Sequence, residues 1–233
     1  MSGIMKRIRL NNRNFIAVAL TQKGRTKEEN QDSFEVFDDG SQIVLAVCDG
    51  LGSAPKSGTG SSVAAKCVTE VISSGTEISQ IYVKTFELWK ERIGCDLNDY
   101  DTTCKFIHIT DGAVKFGGVG DGWIAVRTSD GYHENVSDNI FSNQTDSLLS
   151  FDLKNAFRVT ELEPAELETA LISTDGFSED IHKENGMPFL VEAAASMKED
   201  PETFMKEMAS NLENWPVETN LDDKTVIFIK RVS

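Results

Sequence analysis

The sequence predicts an α+β domain in which strands pair with strands and helices come in pairs. Two observations predict it. Short apolar runs of strand length are joined by two- or three-residue turns, so neighbouring strands must run antiparallel. Helical stretches with a single apolar stripe stand two together after the first strands and two together before the last one. The regular βαβ alternation of a parallel sheet is missing.

Phe15-Ile16-Ala17-Val18-Ala19-Leu20 reads as the opening strand, followed by a turn-rich acidic stretch over 24–30. Residues 33–37 alternate as a half-buried strand, and Asp38-Asp39-Gly40 turns the chain into an apolar strand, 43–48, giving an antiparallel hairpin. After a loop over 50–60, Val63, Cys67, Val68, Val71 and Ile72 recur at the helical period. A second helix over 78–93 carries Ile78, Ile81, Tyr82, Phe86, Trp89 and Ile93 on one stripe, which is core packing. Strands are predicted over 103–109, 113–119, 123–128 and 132–136, separated by Asp111-Gly112, Gly120-Asp121-Gly122 and Asp130-Gly131, and they read as an antiparallel meander. A polar excursion over 137–155 follows, with the form of a flap. Strands near Phe157 and over 170–173, helices over 188–197 and 201–215, and a last strand over 225–232 complete the chain.

No proline-rich or Gly/Ser-rich linker divides the 233 residues, so one domain over 1–233 is expected. Lys and Arg number 23 against 38 Asp and Glu, for a net charge of −15. Such a balance argues against nucleic acid and anionic membrane as partners, and it repels phosphorylated substrates unless positive charge is supplied locally. Cys48, Cys67, Cys95 and Cys104 form no C-x-x-C pair, and Cys48 and Cys67 read as small buried thiols. With no leader-like or membrane-spanning apolar stretch, a soluble, cytoplasmic, reduced and monomeric protein is expected.

Five acidic segments carry the chemistry: Asn30-Gln31-Asp32, Asp49-Gly50-Leu51-Gly52-Ser53, Gly120-Asp121-Gly122, the stretch from Ser173 through Asp175-Gly176 to Glu179 and Asp180, and Asp222-Asp223-Lys224-Thr225. Three of them adjoin apolar strands. A carboxylate at the end of a buried strand is costly unless its charge is compensated. One Asp-Gly after a strand is an ordinary turn, but several such ends suit a hard cation, because magnesium and manganese prefer oxygen ligands.

The ordered set N-Q-D, V-C-D-G-L-G-S, G-V-G-D-G-W, I-S-T-D-G-F-S-E and D-D-K-T-V-I-F-I resembles the metal-dependent protein phosphatases of the 2C type, in their bacterial-style branch. Asn139 to Thr145 is similar to an asparagine-threonine stretch of that branch. The resemblance spans nearly the whole chain. It implies a β-sandwich of two antiparallel sheets flanked by helix pairs. It further implies hydrolysis of phosphoserine or phosphothreonine in proteins by a water activated between two Mn²⁺ or Mg²⁺ ions, the phosphoprotein being supplied by a cognate kinase. Carried over, Asp49 bridges both ions, the Gly50 carbonyl binds one, and Asp175 and Asp222 complete the other. Asp32 holds waters of the ions, with Gln31 where many relatives carry glutamate. Asp121 and Glu179 match positions that in relatives contribute to a third, weaker site. Asp180 and Asp223 are expected to be solvated or supporting.

Two departures stand out. Lys27 occupies the position where many relatives grip phosphate with arginine, a point charge replacing a bidentate fork, with Arg25 nearby as a substitute. Leu51 stands where some relatives have an acid histidine, and His108, His133 and His182 read as structural or exposed. They leave open a second reading, a catalytically weak or inactive phosphatase-fold module that binds or regulates.

Overall fold

The computed structural model describes residues 1–136, 145–181 and 185–232. The chain begins with a hairpin, β1 (Ser2–Leu10) and β2 (Arg13–Gln22), followed by β3 (Asp32–Asp38) and β4 (Ile43–Asp49). Two long helices follow, α1 (Ser57–Ser73) and α2 (Ile78–Ile93). Next come β5 (Cys104–Ile109), β6 (Val114–Val119), β7 (Trp123–Thr128), β8 (Gly131–Val136), the one-turn α3 (Leu153–Ala156), β9 (Arg158–Leu162) and β10 (Leu167–Ser173). The one-turn α4 (Asp175–Ser178), the longer α5 (Gly186–Glu199) and α6 (Pro201–Glu213), and β11 (Lys224–Arg231) complete it.

The strands form two antiparallel sheets, ordered β1-β2-β11-β10-β7-β8 and β3-β4-β5-β6-β9. Their facing surfaces bury a central layer that includes Phe15, Ile43, Leu45, Val47, Ile107, Phe116, Ile172 and Ile227. α1 and α2 cover the outside of the five-stranded sheet through Cys67, Val68, Ile72, Ile81 and Trp89. α5 and α6 cover the six-stranded sheet through Leu190, Met197, Phe204 and Leu212. This four-layer arrangement explains why β4 is apolar throughout: both faces of the strand are buried, so alternation is lost. Trp89 is fully buried, and its indole N–H donates to the Gly60 carbonyl at 3.1 Å, tying α2 to α1. Among the described residues no helix is long and apolar enough to cross a membrane.

Two expectations are corrected. The opening strand is β1, ahead of the Phe15 run. It is an edge strand that leaves most side chains exposed, with Lys6, Arg7 and Arg9 interleaved, and of its apolar residues only Ile8 and Leu10 are buried. The strands from β5 to β8 are also not one meander. β5 pairs with β6 and β7 with β8, but β6 and β7 belong to different sheets. Gly120 and Gly122 take φ of +103° and +96° at the crossing, and a Cβ on Gly122 would lie 2.4 Å from the Ser173 carbonyl oxygen. Glycine turns that would serve a hairpin serve equally to switch sheets. Of the excursion over 137–155, residues 137–144 lie outside the described residues. The part that follows is anchored by the Ser147 hydroxyl donating to Asp101 at 2.8 Å and by buried Leu148.

Candidate metal centre

Strand register brings the acidic segments together at one end of the sandwich. β3 opens with Asp32 and β4 closes with Asp49, and the two are direct cross-strand partners. By alternation with Phe34 and Val47 of the central layer, both face the opposite sheet. Beside them, just before β5, Thr103 exchanges hydrogen bonds with Asp49: the Asp49 N–H donates to the Thr103 hydroxyl and the Thr103 N–H to the Asp49 carbonyl, both at 2.8 Å. From the opposite sheet, Asp175 begins α4 directly after β10, and Asp222 and Asp223 directly precede β11. The crossing from β6 to β7 adds Asp121. These elements surround a cavity of about 210 Å³ lined by Lys27, Asp49, Gly50, Asp121, Asp175 and Asp222, among others.

Within it, carboxylate oxygens of Asp49, Asp121 and Asp175 all lie within 4.8 Å of one another. Like charges so close disfavour ionisation. Burial first, then the charges of Asp32 and Asp175, push the Asp49 carboxyl well above the usual carboxylate range. Asp175 is likewise raised by burial and by Asp121 and Asp222. Burial, with the charges of Asp223 and Asp175, lifts Asp32 to about 7 against the Thr174 hydroxyl that donates to its Oδ2 at 2.8 Å. The Oδ1 atom of Asp32 is buried and has no hydrogen-bond partner among the described residues. Converging oxygens, a carboxylate atom left unsatisfied and crowded negative charge fit a hard divalent cation.

The other expected site residues are placed as follows. Gly50 lines the cavity, and a Cβ there would approach the Ser57 and Gln31 backbone to 2.7 and 2.8 Å, so only glycine fits. Asp222 lines the same cavity but pairs with the Lys27 ammonium at 2.7 Å, outside the cluster of three. Burial opposes the Lys27 charge, yet the Asp222 hydrogen bond and the charges of Asp222, Asp223 and Asp49 prevail and raise its pKa. Arg25 is turned away, its guanidinium donating to the Trp215 carbonyl at 2.6 Å. Glu179 is exposed one turn after Asp175, raised by burial and the charges of Asp175 and Asp121. His108 is structural: its Nε2 meets Gln42 at 3.0 Å, and burial lowers it to about 4. His182 lies outside the described residues.

Asp180 and Asp223, expected to be solvated or supporting, both hold neighbouring donors. Asp180 accepts from the Trp215 indole at 2.6 Å and from Asn220 at 2.5 Å. Asp223 is 2% exposed and accepts the backbone N–H groups of Gly24 at 2.7 Å and Gln31 at 2.8 Å. It ties the loop before Asp32 to the start of β11. Asp223→Asn turns an amide N–H toward one of those donors and should cost about 2–4 kcal/mol in urea unfolding; a loss below about 0.5 kcal/mol would contradict this role. Sequence reasoning also missed Thr103 and Thr174, whose hydroxyls hold Asp49 and Asp32, because only register places them there. Thr145, part of the asparagine-threonine stretch, donates to Asp121 at 2.6 Å.

The fold and this acidic end are those expected of the metal-dependent protein phosphatase family. The family model described as protein phosphatase 2C matches residues 21–215, and the chain belongs to that family, whose members are metal-dependent. RsbX, solved in complex with magnesium, is similar with a TM-score of 0.65 at 17% identity, over 98% of this chain and 100% of that one. A bacterial serine phosphatase is similar with a TM-score of 0.61 at 19% identity, over 93% of this chain and 97% of that one. The phosphatase domain of SpoIIE from Bacillus subtilis, solved with a fragment of its regulatory domain, gives a TM-score of 0.62 at 16% identity, over 99% of this chain and 70% of that structure. At these identities the likeness is one of fold. No curated protein sequence matches the chain.

Proposed function

We propose that the protein is a phosphoserine/phosphothreonine protein phosphatase using Mn²⁺ or Mg²⁺. The observation that carries this reading is the meeting of Asp49, Asp121 and Asp175 within 4.8 Å at the end of the sandwich. Asp49, Asp121, Asp175 and the Gly50 carbonyl would hold the ions, with Asp222 and Glu179 at the margin. Bound divalent ions would supply an activated water and neutralise phosphoryl oxygens. Asp32, whose buried Oδ1 has no hydrogen-bond partner among the described residues, would orient water. Lys27 gives the cavity one positive side chain that can leave Asp222 for a phosphate dianion, though without the two-point grip of arginine. Leu51 offers no proton, so the leaving alkoxide must take its proton from water, and modest turnover is expected.

A single domain acting as a monomer in the reducing cytoplasm on a kinase's phosphoprotein product completes the reading; four unpaired cysteines, three of them buried, are compatible with it. The Lys27–Asp222 ion pair favours a second reading, a weak or inactive module, because it occupies the phosphate-gripping charge. p-Nitrophenyl phosphate hydrolysis in Mn²⁺ or Mg²⁺ against EDTA decides between them. Metal-dependent release is expected; stabilisation by metal without release would favour the module, and neither effect would refute both.

A further inference from the structure

Lys105 is a charged side chain in an apolar place. It is 2% exposed. On β5 it alternates with Cys104 and Phe106, which face the helices, and shares the side of Ile107, which faces the opposite sheet. Its partners across the ladder are Val47 and Gly118. Val47 lies two residues before Asp49, and Lys105 two residues after Thr103, so the Lys105 row lies directly behind the Asp49–Thr103 row that walls the cavity. Its ammonium donates to Asn135 of β8, in the other sheet, at 3.4 Å. Among the described residues it forms no ion pair.

Burying an ammonium with one long hydrogen bond is expensive, and a methionine or leucine would fill the space at no such cost. What compensates the charge lies next door. Burial lowers Lys105 to about 8, while Asp121 acts to hold the charge on.

We propose that Lys105 is a positioning residue of the acidic centre: a fixed buried charge that offsets carboxylate repulsion in the metal-free protein and competes with a divalent ion on the Asp121 side. It thereby weakens cation binding there and keeps it reversible. This rests on the metal-centre reading above.

Lys105→Met removes the charge, Lys105→Arg keeps it, and Asn135→Asp cancels it with the lysine in place. Mn²⁺ titration by calorimetry at pH 7.5 should show about tenfold tighter binding at the Asp121 side for Lys105→Met and Asn135→Asp, and near-native binding for Lys105→Arg. The thermal shift on adding Mn²⁺ should be larger for Lys105→Met and Asn135→Asp, because tighter binding to the folded state stabilises it more at a given Mn²⁺ concentration. Should Lys105→Met fail to fold without metal, Asn135→Asp carries the same comparison. Unchanged Mn²⁺ affinity, with stability lowered equally in both metal states, would leave Lys105 a purely structural residue and overturn the proposal. A wild-type protein that takes up no Mn²⁺ would refute the metal reading and this one together, whereas binding that is identical across the variants refutes this one alone.

Discussion

Asp49→Asn should lower metal-dependent hydrolysis by at least about 10³-fold and, in the same protein, raise metal-free stability by about 1–3 kcal/mol. The two effects share a cause. Asp49 stands beside Asp32 on the neighbouring strand and within 4.8 Å of Asp121 and Asp175. With no cation between them, each added negative charge works against the fold; with a cation, the same charges are its ligands. Asparagine keeps the shape and removes the charge. Asp175→Asn should behave alike, while Asp180→Asn, whose carboxylate caps Trp215 and Asn220, should lose stability and retain most turnover per folded molecule. Hydrolysis assays with Mn²⁺, paired with urea unfolding in EDTA, test this. Asp49→Asn at native activity would remove the proposed centre, and a destabilised metal-free Asp49→Asn would remove the repulsion argument.

The second expected result is a pH dependence of stability that one substitution removes. Folded Asp32 keeps its proton up to about pH 7, chiefly because it is buried. In the unfolded chain an aspartate loses its proton near pH ~4. Between these values the folded state binds more protons, so its contribution to stability is complete at the acid end and is lost as pH rises toward neutrality. Asp32→Asn has no proton to lose. In EDTA it should exceed the wild type by a few kcal/mol at pH 7.5, with the gap closing toward pH ~4. Taking the difference between the two proteins cancels the opposing contribution of His108, which stays neutral down to about 4. Mn²⁺ at pH 7.5 should raise the wild-type unfolding midpoint and narrow the gap. A gap that does not change with pH would show that Asp32 is already compensated within the protein.

How far these results could be anticipated from the residues alone differs from element to element. α2 was legible to the residue, because a sixteen-residue amphipathic stripe closed by Gly94 is a strong local signal. β4 and the turn at Asp49-Gly50 were legible too, since a fully buried strand must be apolar to its end and glycine must follow where backbone crowds. β1 was not, because an edge strand has little buried side to advertise.

By itself, the sequence determined where most of the buried strands lie, the glycine turns and the order of the acidic segments, all of which follow from backbone sterics and burial within a few residues. Only the tertiary structure decided that the chain changes sheets at Asp121, which of the aspartates cluster, that Lys27 pairs with Asp222, and that Lys105 points inward behind the carboxylates. These depend on which face of each strand meets the other sheet. That choice is made by packing between segments far apart in the chain, and a local period is the same on either face.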